Sequence, residues 1–322
     1  MKRALSIAVY RAGAASLAMR FAPAFVAGLA LALAACKPDL NDRESRIEEA
    51  RIVAIVAEPP EAKPGVPVTY KAVVASHDGP LDGADVRWDV CATPKLLTEN
   101  GAVSPECLRD GVRPLAEPPP VGTTATGAIL SDACALFGPD APPGSFRPRD
   151  PDSTGGYYQP VRATWRSATA FARARVSCNL ANAPADVTLE FNRRYVANEN
   201  PRLGTLTARV DGELRPLDRL PAGRGIELAV GWEPRDAESY VALDPTTKSV
   251  VVRREAMRVS WYATAGSFET DRTGRAEGEL DTFTNNVWFS GTEPGLARLW
   301  VVLRDSRGGS TYAVYTLSTV SP

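Results

Sequence analysis

The side chains that could do chemistry in this sequence are a single histidine and two groups of acidic residues. His77 lies between Ser76 and Asp78, but a catalytic triad needs these residue types to converge from separate elements, which sequence neighbours cannot do. We therefore expect His77 to occupy a solvated turn. One histidine also excludes a histidine-rich metal centre, and the motifs of phosphate-binding loops, serine hydrolases and zinc proteases are absent from the sequence.

Paired carboxylates are the remaining catalytic alternative. Asp236, Glu238 and Asp244 cluster around one loop, and Glu269 and Asp271 lie in another. A glycosidase needs two carboxylates that face one sugar across a cleft, and calcium could bind the same oxygens, although no EF-hand spacing is present. Because turns are rich in aspartate, we predict that these residues are turn-formers on a polar surface. The sequence thus predicts no catalytic residue, no cofactor and no metal site.

The N-terminus carries the most specific pattern in the sequence. Residues 1–35 contain basic but no acidic side chains, and an uncharged run over 21–35 ends at a cysteine. Positive charge followed by a short apolar run is typical of a secretory signal. The run is also shorter than the roughly 20 apolar residues that a membrane-spanning helix needs. We predict that residues 1–35 are a signal peptide that is removed on export.

The predicted cleavage site, Leu33, Ala34, Ala35 and Cys36, resembles the lipobox of bacterial lipoproteins. The resemblance implies that a diacylglyceryl group is attached to the Cys36 sulfur, that cleavage precedes this residue and that the new amine is acylated. Two or more acyl chains hold a protein firmly on a membrane. Lys37, rather than aspartate, follows the cysteine, which by the same resemblance implies the outer membrane of a Gram-negative bacterium. An ordinary secretory signal is the alternative.

Composition limits the domain count and the partners. Four of the 37 basic residues and none of the 38 acidic ones lie in the predicted signal, so the mature chain has a slight acidic excess. Such a chain has no basic surplus to attract a nucleic-acid backbone, and we expect no nucleic-acid partner. At roughly 100–150 residues per domain, the mature length indicates two domains. Residues 36–50 are polar and charged, typical of a flexible tether.

The other four cysteines are predicted to form disulfides. Cysteines in even number are typical of disulfides in an exported chain, and no pair has the two-residue spacing of a zinc knuckle. Four cysteines allow three pairings. We favour Cys91 with Cys107 and Cys134 with Cys178.

Short strands separated by turns follow the tether. Residues 51–57 are β-branched and apolar, and Val86, Trp88 and Val90 alternate so that they share one face. This pattern is typical of a β-sandwich. With its proline-glycine turn and Trp88, the segment 51–91 resembles bacterial immunoglobulin-like domains of surface proteins. The resemblance implies that Trp88 packs between two sheets.

Residues 93–156 differ in character from the segments around them. Prolines are frequent there and apolar periodicity is weak. So long a stretch without regular structure is unusual inside a compact domain. We predict a long, proline-rich, disulfide-stapled insertion in the first sandwich.

A short helix is predicted after the insertion. Val187, Phe191 and Tyr195 recur at helical spacing. Asn182 and Pro184 precede them, which indicates an asparagine cap and a proline in the first turn.

A second set of short strands follows the helix and continues to the end of the chain. The closing hairpin, with its turn at 307–309, resembles the last hairpin of immunoglobulin-like and PKD-like modules. A Val-x-Trp pattern around Trp88 recurs around Trp261, which two tandem sandwiches would explain; chance is the alternative. We predict an all-β protein of two immunoglobulin-like β-sandwiches, domain 1 over 51–198 and domain 2 over 199–322.

The six tryptophans are candidates either for the core or for binding. An exposed ring could stack on a sugar or anchor a partner, but core packing is the commoner fate. Trp300 lies on the opposite strand face from Leu299 and Val301. It is therefore either exposed or buried between domains.

These features together resemble bacterial lipoproteins with immunoglobulin-like domains. We predict a non-enzymatic protein of the cell envelope, anchored to the membrane through lipid on Cys36, with an adhesion, scaffolding or ligand-binding role. An envelope protein or a polysaccharide is the expected partner. A carbohydrate-active or other hydrolytic lipoprotein that uses paired carboxylates is the alternative.

Overall fold

The computed structural model covers the body of the chain and describes residues 44–96, 99, 102–139, 144 and 152–321. The predicted signal peptide, its cleavage motif and Cys36 lie outside the described residues, so the lipid anchor stays a prediction. No helix among the described residues has both the length and the apolar character needed to cross a membrane.

The described chain folds as two β-sandwiches in tandem, which confirms the predicted all-β class. The strands of the first sandwich are β1 (Arg51–Glu58), β2 (Glu61–Ala62), β3 (Pro67–Ser76), β4 (Gly79–Pro80), β5 (Arg87–Cys91), β6 (Val112–Pro114), β7 (Thr124–Ala128), β8 (Gly156–Trp165) and β9 (Ala168–Ser177). In one sheet β1, β4 and β7 all pair with β3, and the other sheet has the order β2-β9-β8-β5-β6.

The second sandwich has two five-stranded sheets and a separate hairpin. Its strands are β10 (Thr207–Val210), β11 (Glu213–Arg215), β12 (Leu220–Pro221), β13 (Gly225–Gly231), β14 (Ser239–Asp244), β15 (Ser249–Arg254), β16 (Met257–Ala263), β17 (Ser267–Phe268), β18 (Arg272–Arg275), β19 (Phe283–Phe289), β20 (Gly295–Asp305) and β21 (Ser310–Val320). The sheet orders are β11-β10-β13-β19-β17 and β12-β21-β20-β16-β18, and β14 pairs with β15 alone.

The two sandwiches share the topology of one of their sheets, β2-β9-β8-β5-β6 in the first and β12-β21-β20-β16-β18 in the second. In each, a two-residue strand pairs in parallel with the last strand, β2 with β9 and β12 with β21. The strand with the Val-x-Trp pattern comes fourth in both sheet orders, as β5 with Trp88 and as β16 with Trp261. Both indole rings are buried in the cores. The repeated Val-x-Trp pattern therefore lies on corresponding strands of two tandem domains.

A third apolar cluster joins the two sandwiches. Trp300 and Val302 of β20 pack against Val53 of β1 and Val73 of β3. Trp300 is fully buried there, so the second of its two predicted alternatives, burial between domains, is the observed one. Because one sheet face of each domain is buried in the other, the sandwiches form one packed body.

The folded body begins earlier than the sequence predicts. Ile47 is fully buried in the cluster between the domains. Its N–H donates to the Ala263 carbonyl oxygen (2.9 Å), and the Ala263 N–H donates to the Ser45 carbonyl oxygen (2.8 Å). The tether predicted over 36–50 is therefore wrong for residues 44–50. The buried Ile47 side chain, the two backbone hydrogen bonds and the Arg272–Glu44 ion pair hold this segment on the second sandwich.

The predicted helix is present, but its predicted cap is wrong. Besides a short helix α1 (Ala133–Leu136), the chain forms α2 (Ala185–Arg194), where Phe191 is buried against Val241 and Leu243 of the β14–β15 hairpin. Pro184 occupies the cap position. Asn182 lies two residues earlier with a positive φ of 54°, a conformation that asparagine tolerates better than most residues. It shapes the turn before the helix.

The segment predicted as an insertion also supplies part of the sandwich. Within 93–156, β6 pairs with β5 and β7 pairs with β3, and Ala125 and Ile129 are buried in the first core. The expectation of a segment without regular structure is therefore wrong for these strands. The reason is composition, since β7 has the sequence TATGA and its small side chains hide the alternation that marks a half-buried strand.

Both disulfides form with the favoured pairing. The Cα atoms are 5.4 Å apart in Cys91–Cys107 and 5.8 Å apart in Cys134–Cys178. The first bond ties the turn that contains Cys107 to β5, and the second ties α1 to the residue after β9.

Replacing Cys91 and Cys107 together with alanine should lower the free energy of unfolding. The bond closes a loop of 16 residues, for which the loop-entropy model gives about 3 kcal/mol. Urea unfolding of the double variant and the parent, both oxidised, measures the difference. Superimposable unfolding curves would show that the bond does not restrain the unfolded chain.

Candidate functional site

The carboxylates considered as a catalytic pair have separate structural partners. Asp236 is buried, and its carboxylate accepts hydrogen bonds from the Arg202 Nε (3.0 Å) and the Glu233 backbone N–H (3.0 Å). Glu238 forms an ion pair with Arg307. The two side chains are thus paired with different arginines.

His77 occupies a solvated turn, as predicted, and Asp244 ends β14 just before the turn to β15. The Asp244 Oδ1 accepts hydrogen bonds from the N–H groups of Thr246 (2.8 Å) and Thr247 (3.3 Å), which lower the pKa of this carboxyl. The His77 side chain is 74% exposed, and its Nδ1 lies 3.7 Å from the Asp78 carboxylate. The neighbouring serine donates its hydroxyl to a turn carbonyl, so no triad forms here.

The second acidic pair contributes backbone hydrogen bonds. The Glu269 N–H donates to the Val287 carbonyl oxygen (2.9 Å), and the Asp271 carbonyl oxygen accepts from the Trp261 N–H (3.1 Å). In the part of the chain that the structure describes, no group of three or more histidine, cysteine, aspartate or glutamate side chains could hold a metal ion.

A buried ion pair that the sequence pattern did not indicate lies in the first sandwich. The Arg175 Nε is 3.1 Å from the Glu61 carboxylate, and both side chains are almost fully buried. Glu61 also accepts hydrogen bonds from the hydroxyls of Ser177 and Tyr195 and from the Asn198 N–H (2.9 Å). A buried charge is tolerated only when it is paired and hydrogen-bonded, and Glu61 meets both conditions.

A second buried ionic group lies in the loop between β20 and β21. The Arg307 Nε donates to Glu255 (2.7 Å), one terminal nitrogen donates to Glu238, and the other donates to the Val196 carbonyl oxygen (3.0 Å). The Arg307 side chain is 3% exposed. It therefore connects the final hairpin with the β14–β15 region and with the segment between the domains.

Asn198 and Tyr158 connect the two ionic groups across the domain junction. The Asn198 N–H donates to Glu61, and its side-chain amide donates to Asp305 (3.2 Å). The Tyr158 hydroxyl donates to the Arg307 carbonyl oxygen (3.2 Å). The junction between the sandwiches is thus a continuous polar network beside the apolar cluster.

Glu61 and Glu255 have opposite pKa shifts. Burial opposes ionisation of Glu61, but the Arg175 charge and three hydrogen bonds outweigh burial and lower the pKa of Glu61. Burial and the nearby Asp305 raise the pKa of Glu255 to about 8, although Arg307 opposes them. The difference follows from the charges around each carboxyl: no nearby acid among the described residues opposes the Arg175 charge at Glu61, whereas at Glu255 burial and the Asp305 carboxylate outweigh Arg307.

Stability should fall between pH 5 and pH 8 because of Glu255. In the unfolded chain this carboxyl has a pKa near 4.5, whereas in the folded state it is about 8, so the folded state binds more protons in that window. The stabilisation is complete below the unfolded pKa and is lost as pH rises through the folded one. At about 1.4 kcal/mol per pKa unit, we expect a loss of a few kcal/mol.

Urea unfolding at several pH values checks this. The variant Glu255→Gln should have a flatter profile over the same window, and an unchanged slope would contradict the assignment. Glu61 has the opposite effect on the pH dependence of stability. Because its pKa is lowered in the folded state, its stabilising contribution is lost only as the pH falls below about 4.5.

An open groove lies on the first sandwich, beside the Cys91–Cys107 disulfide. It has a volume of about 360 Å³. Leu108 and Val121, which are 61% and 59% exposed, form its apolar rim. We call it the insertion groove, and its lining residues are Arg87, Trp88, Asp89, Leu108, Pro119, Pro120, Val121, Arg162, Thr164 and Thr169.

Arg162 fixes the insertion groove in shape. Its guanidinium donates to the Asp89 carboxylate (2.7 and 3.0 Å) on the sheet and to the carbonyl oxygens of Cys107 (3.1 Å) and Arg109 (3.0 Å) on the disulfide-bonded turn. Trp88 supports the opposite rim, because its indole N–H donates to the Gly122 carbonyl oxygen (2.7 Å). The Leu108 side of the rim is therefore attached to the sheet by the disulfide and by Arg162, and the Val121 side by the Trp88 hydrogen bond.

Comparison with known proteins yields structural neighbours only. No protein-family model matches the sequence, and no curated protein matches it significantly. The structure is similar to the D00-D0 domain of intimin, with 11% identity over 85% of this chain and 99% of that chain and a TM-score of 0.25. It is also similar to the Yersinia pseudotuberculosis adhesin InvE (12% identity, 82% and 58% coverage, TM-score 0.19) and to domains 4 and 5 of the S-layer protein SbsC (10%, 86% and 100%, 0.19).

At these TM-scores the neighbours say nothing about relationship or function. The sheets, the cores and the disulfides of the chain itself define its class, which is a two-domain β-sandwich protein with a buried junction and an open groove.

Proposed function

We propose that this protein is a lipid-anchored envelope lipoprotein that binds a partner through the insertion groove. The observation that carries the binding role is the exposed apolar rim of Leu108 and Val121, beside the exposed Arg87 that also lines the groove. Apolar side chains that stay exposed on a disulfide-bonded, clamped surface are available for a partner without a further loss of loop entropy. The partner is an envelope protein or a polysaccharide.

The anchor part of the proposal rests on the lipobox residues that end at Cys36. Wild-type chain should incorporate labelled palmitate and fractionate with the outer membrane. The variant Cys36→Ala should incorporate none and should leave the membrane fraction. Equal labelling of the two chains would exclude lipid attachment at this residue.

The binding part is tested by changing the rim and keeping the fold. Deletion of the whole 93–156 segment is unsuitable, because it would remove β6 and β7. Instead, Leu108→Glu with Val121→Glu should abolish capture of a specific membrane component by the anchored protein. Leu214→Glu, at a 59% exposed position of β11, is the matched control. Loss of capture in all variants, or in none, would argue against the groove.

A further inference from the structure

Strand β9 has a neighbour along only part of its outer edge. β8 pairs with β9 along its whole length, whereas β2 pairs only with Arg175 and Val176. Among the described residues, no strand pairs with residues 168–173 on that side. The Arg175 N–H donates across this edge to the Pro60 carbonyl oxygen (3.3 Å). Since N–H directions alternate along a strand, the N–H groups of residues 171 and 173 point to the same side.

A groove opens beside this free edge, where the two sandwiches meet. It has a volume of about 280 Å³. Residues 170–173 of β9 and 52–55 of β1 line its length, and Ser306 and Gly308 from the last hairpin of the second sandwich line its end. We call it the junction groove. It is separate from the insertion groove, since the two have no lining residue in common.

The junction groove has two arginines without an acidic partner. The guanidinium of Arg173, an exposed residue, lies 4.9 Å from the centre of the Tyr158 ring. Arg304 donates to the Ser260 hydroxyl (3.2 Å) and to a β1 carbonyl oxygen (3.4 Å). No described carboxylate forms an ion pair with either arginine. Asp305 also lines the groove, but its carboxylate already accepts hydrogen bonds from the hairpin loop N–H groups.

We propose that the junction groove binds an extended acidic peptide segment of a partner protein, which adds a strand to the free edge of β9. Backbone pairing supplies affinity in this binding mode, and side-chain pockets supply selectivity. Here the selectivity comes from charge, because carboxylates on alternate residues of the segment would reach Arg173 and Arg304 and form charge-assisted hydrogen bonds. The proposal goes beyond the insertion groove and does not depend on it.

Hydrogen exchange of the full-length, detergent-solubilised protein tests the proposal. The probe is a short blocked peptide of alternating valine and glutamate, and the comparison peptide has lysine in place of glutamate. We expect saturable binding of the acidic peptide with slowed amide exchange at residues 168–173. The lysine peptide should bind at least about tenfold more weakly because it places like charges together.

Charge variants distinguish binding in the junction groove from nonspecific electrostatic attraction of the acidic peptide to the protein. Arg304→Gln and Arg173→Gln should each weaken the acidic peptide several-fold, and Arg253→Gln, on the exposed β15, should leave its affinity unchanged. Phe171→Pro removes one outward N–H and leaves the pairing with β8 intact, so it should weaken the binding of both peptides. Thermal melting checks that this variant folds. If it does not fold, the two charge variants alone test the proposal.

Three results would overturn the proposal. They are absence of binding, binding without slowed exchange at residues 168–173, and equal affinity for the two peptides. Polygalacturonate serves as a further probe. If it displaces the acidic peptide and itself slows exchange at 168–173, an acidic polysaccharide is the occupant and the peptide proposal is wrong.

Discussion

Replacing Arg307 with methionine should lower the free energy of unfolding by about 3–5 kcal/mol, the range for removal of one partner of a buried ion pair. The substitution leaves the Glu255 and Glu238 carboxylates without their cation and removes a donor from the Val196 carbonyl oxygen. Methionine keeps the bulk of the side chain, so the loss reports on charge. Urea unfolding at pH 9 measures it, because Glu255, with a pKa of about 8, is then mostly ionised in the parent.

Two further variants make this test specific. Arg253→Met removes an exposed arginine whose ion pair with Glu277 spans 3.8 Å, and it should change stability by less than about 1 kcal/mol. Adding Glu255→Gln to Arg307→Met should restore part of the loss, because the glutamine needs no counter-charge. If Arg307→Met and Arg253→Met unfold at the same urea concentration, the junction network does not contribute to stability.

The fold was largely predictable because half-buried strands show an alternation of apolar and polar residues in the sequence. Val86, Trp88 and Val90 share a face in sequence and are all buried in the first core. The same rule failed for β7, because its threonine, alanine and glycine residues differ too little in hydrophobicity to show which positions are buried. It also missed the hairpin of β14 and β15, because four consecutive residues of β14 are buried and none of β15 is, so neither strand alternates between buried and exposed positions.

The candidate sites were much less predictable, for a physical reason. Arg173 and Arg175 have the same strand parity, yet Arg173 is exposed and Arg175 is buried. The local sequence pattern cannot show which of the two arginines is buried, because Glu61, the ionic partner of Arg175, lies far away in sequence. Arg307 likewise occupies what resembles an ordinary glycine turn. Burial of these charges depends on how two domains pack, and a single sequence does not show that.

The rim of the insertion groove was hidden for a related reason. Prolines near Val121 correctly marked an irregular segment, and the cysteines correctly marked where it is fastened. Nothing in the sequence showed that Arg162, on β8, would clamp the turn at Cys107 and so keep Leu108 in place. The sequence thus located the segment, and only the structure shows which of its side chains form a surface.

Replacing Trp300 with alanine should have an effect as large as the loss of Arg307, about 3–5 kcal/mol. Trp300 is fully buried between the sandwiches, against Val53 and Val73, so its removal leaves a cavity in the cluster that joins them. Each sandwich keeps its own core. We therefore expect calorimetry to show one transition for the parent and two for the variant.

The matched control is Trp300→Phe. The buried Trp300 Nε1 has no hydrogen-bond partner among the described residues, so phenylalanine loses ring volume but removes an unsatisfied polar atom, which costs free energy when buried. This variant should lose less than half as much stability as Trp300→Ala and keep a single transition. A single transition in Trp300→Ala as well, with a midpoint close to that of the parent, would mean that the sandwiches are held together without this cluster. The polar network of Glu61, Asn198 and Arg307 would then be the stronger of the two junctions.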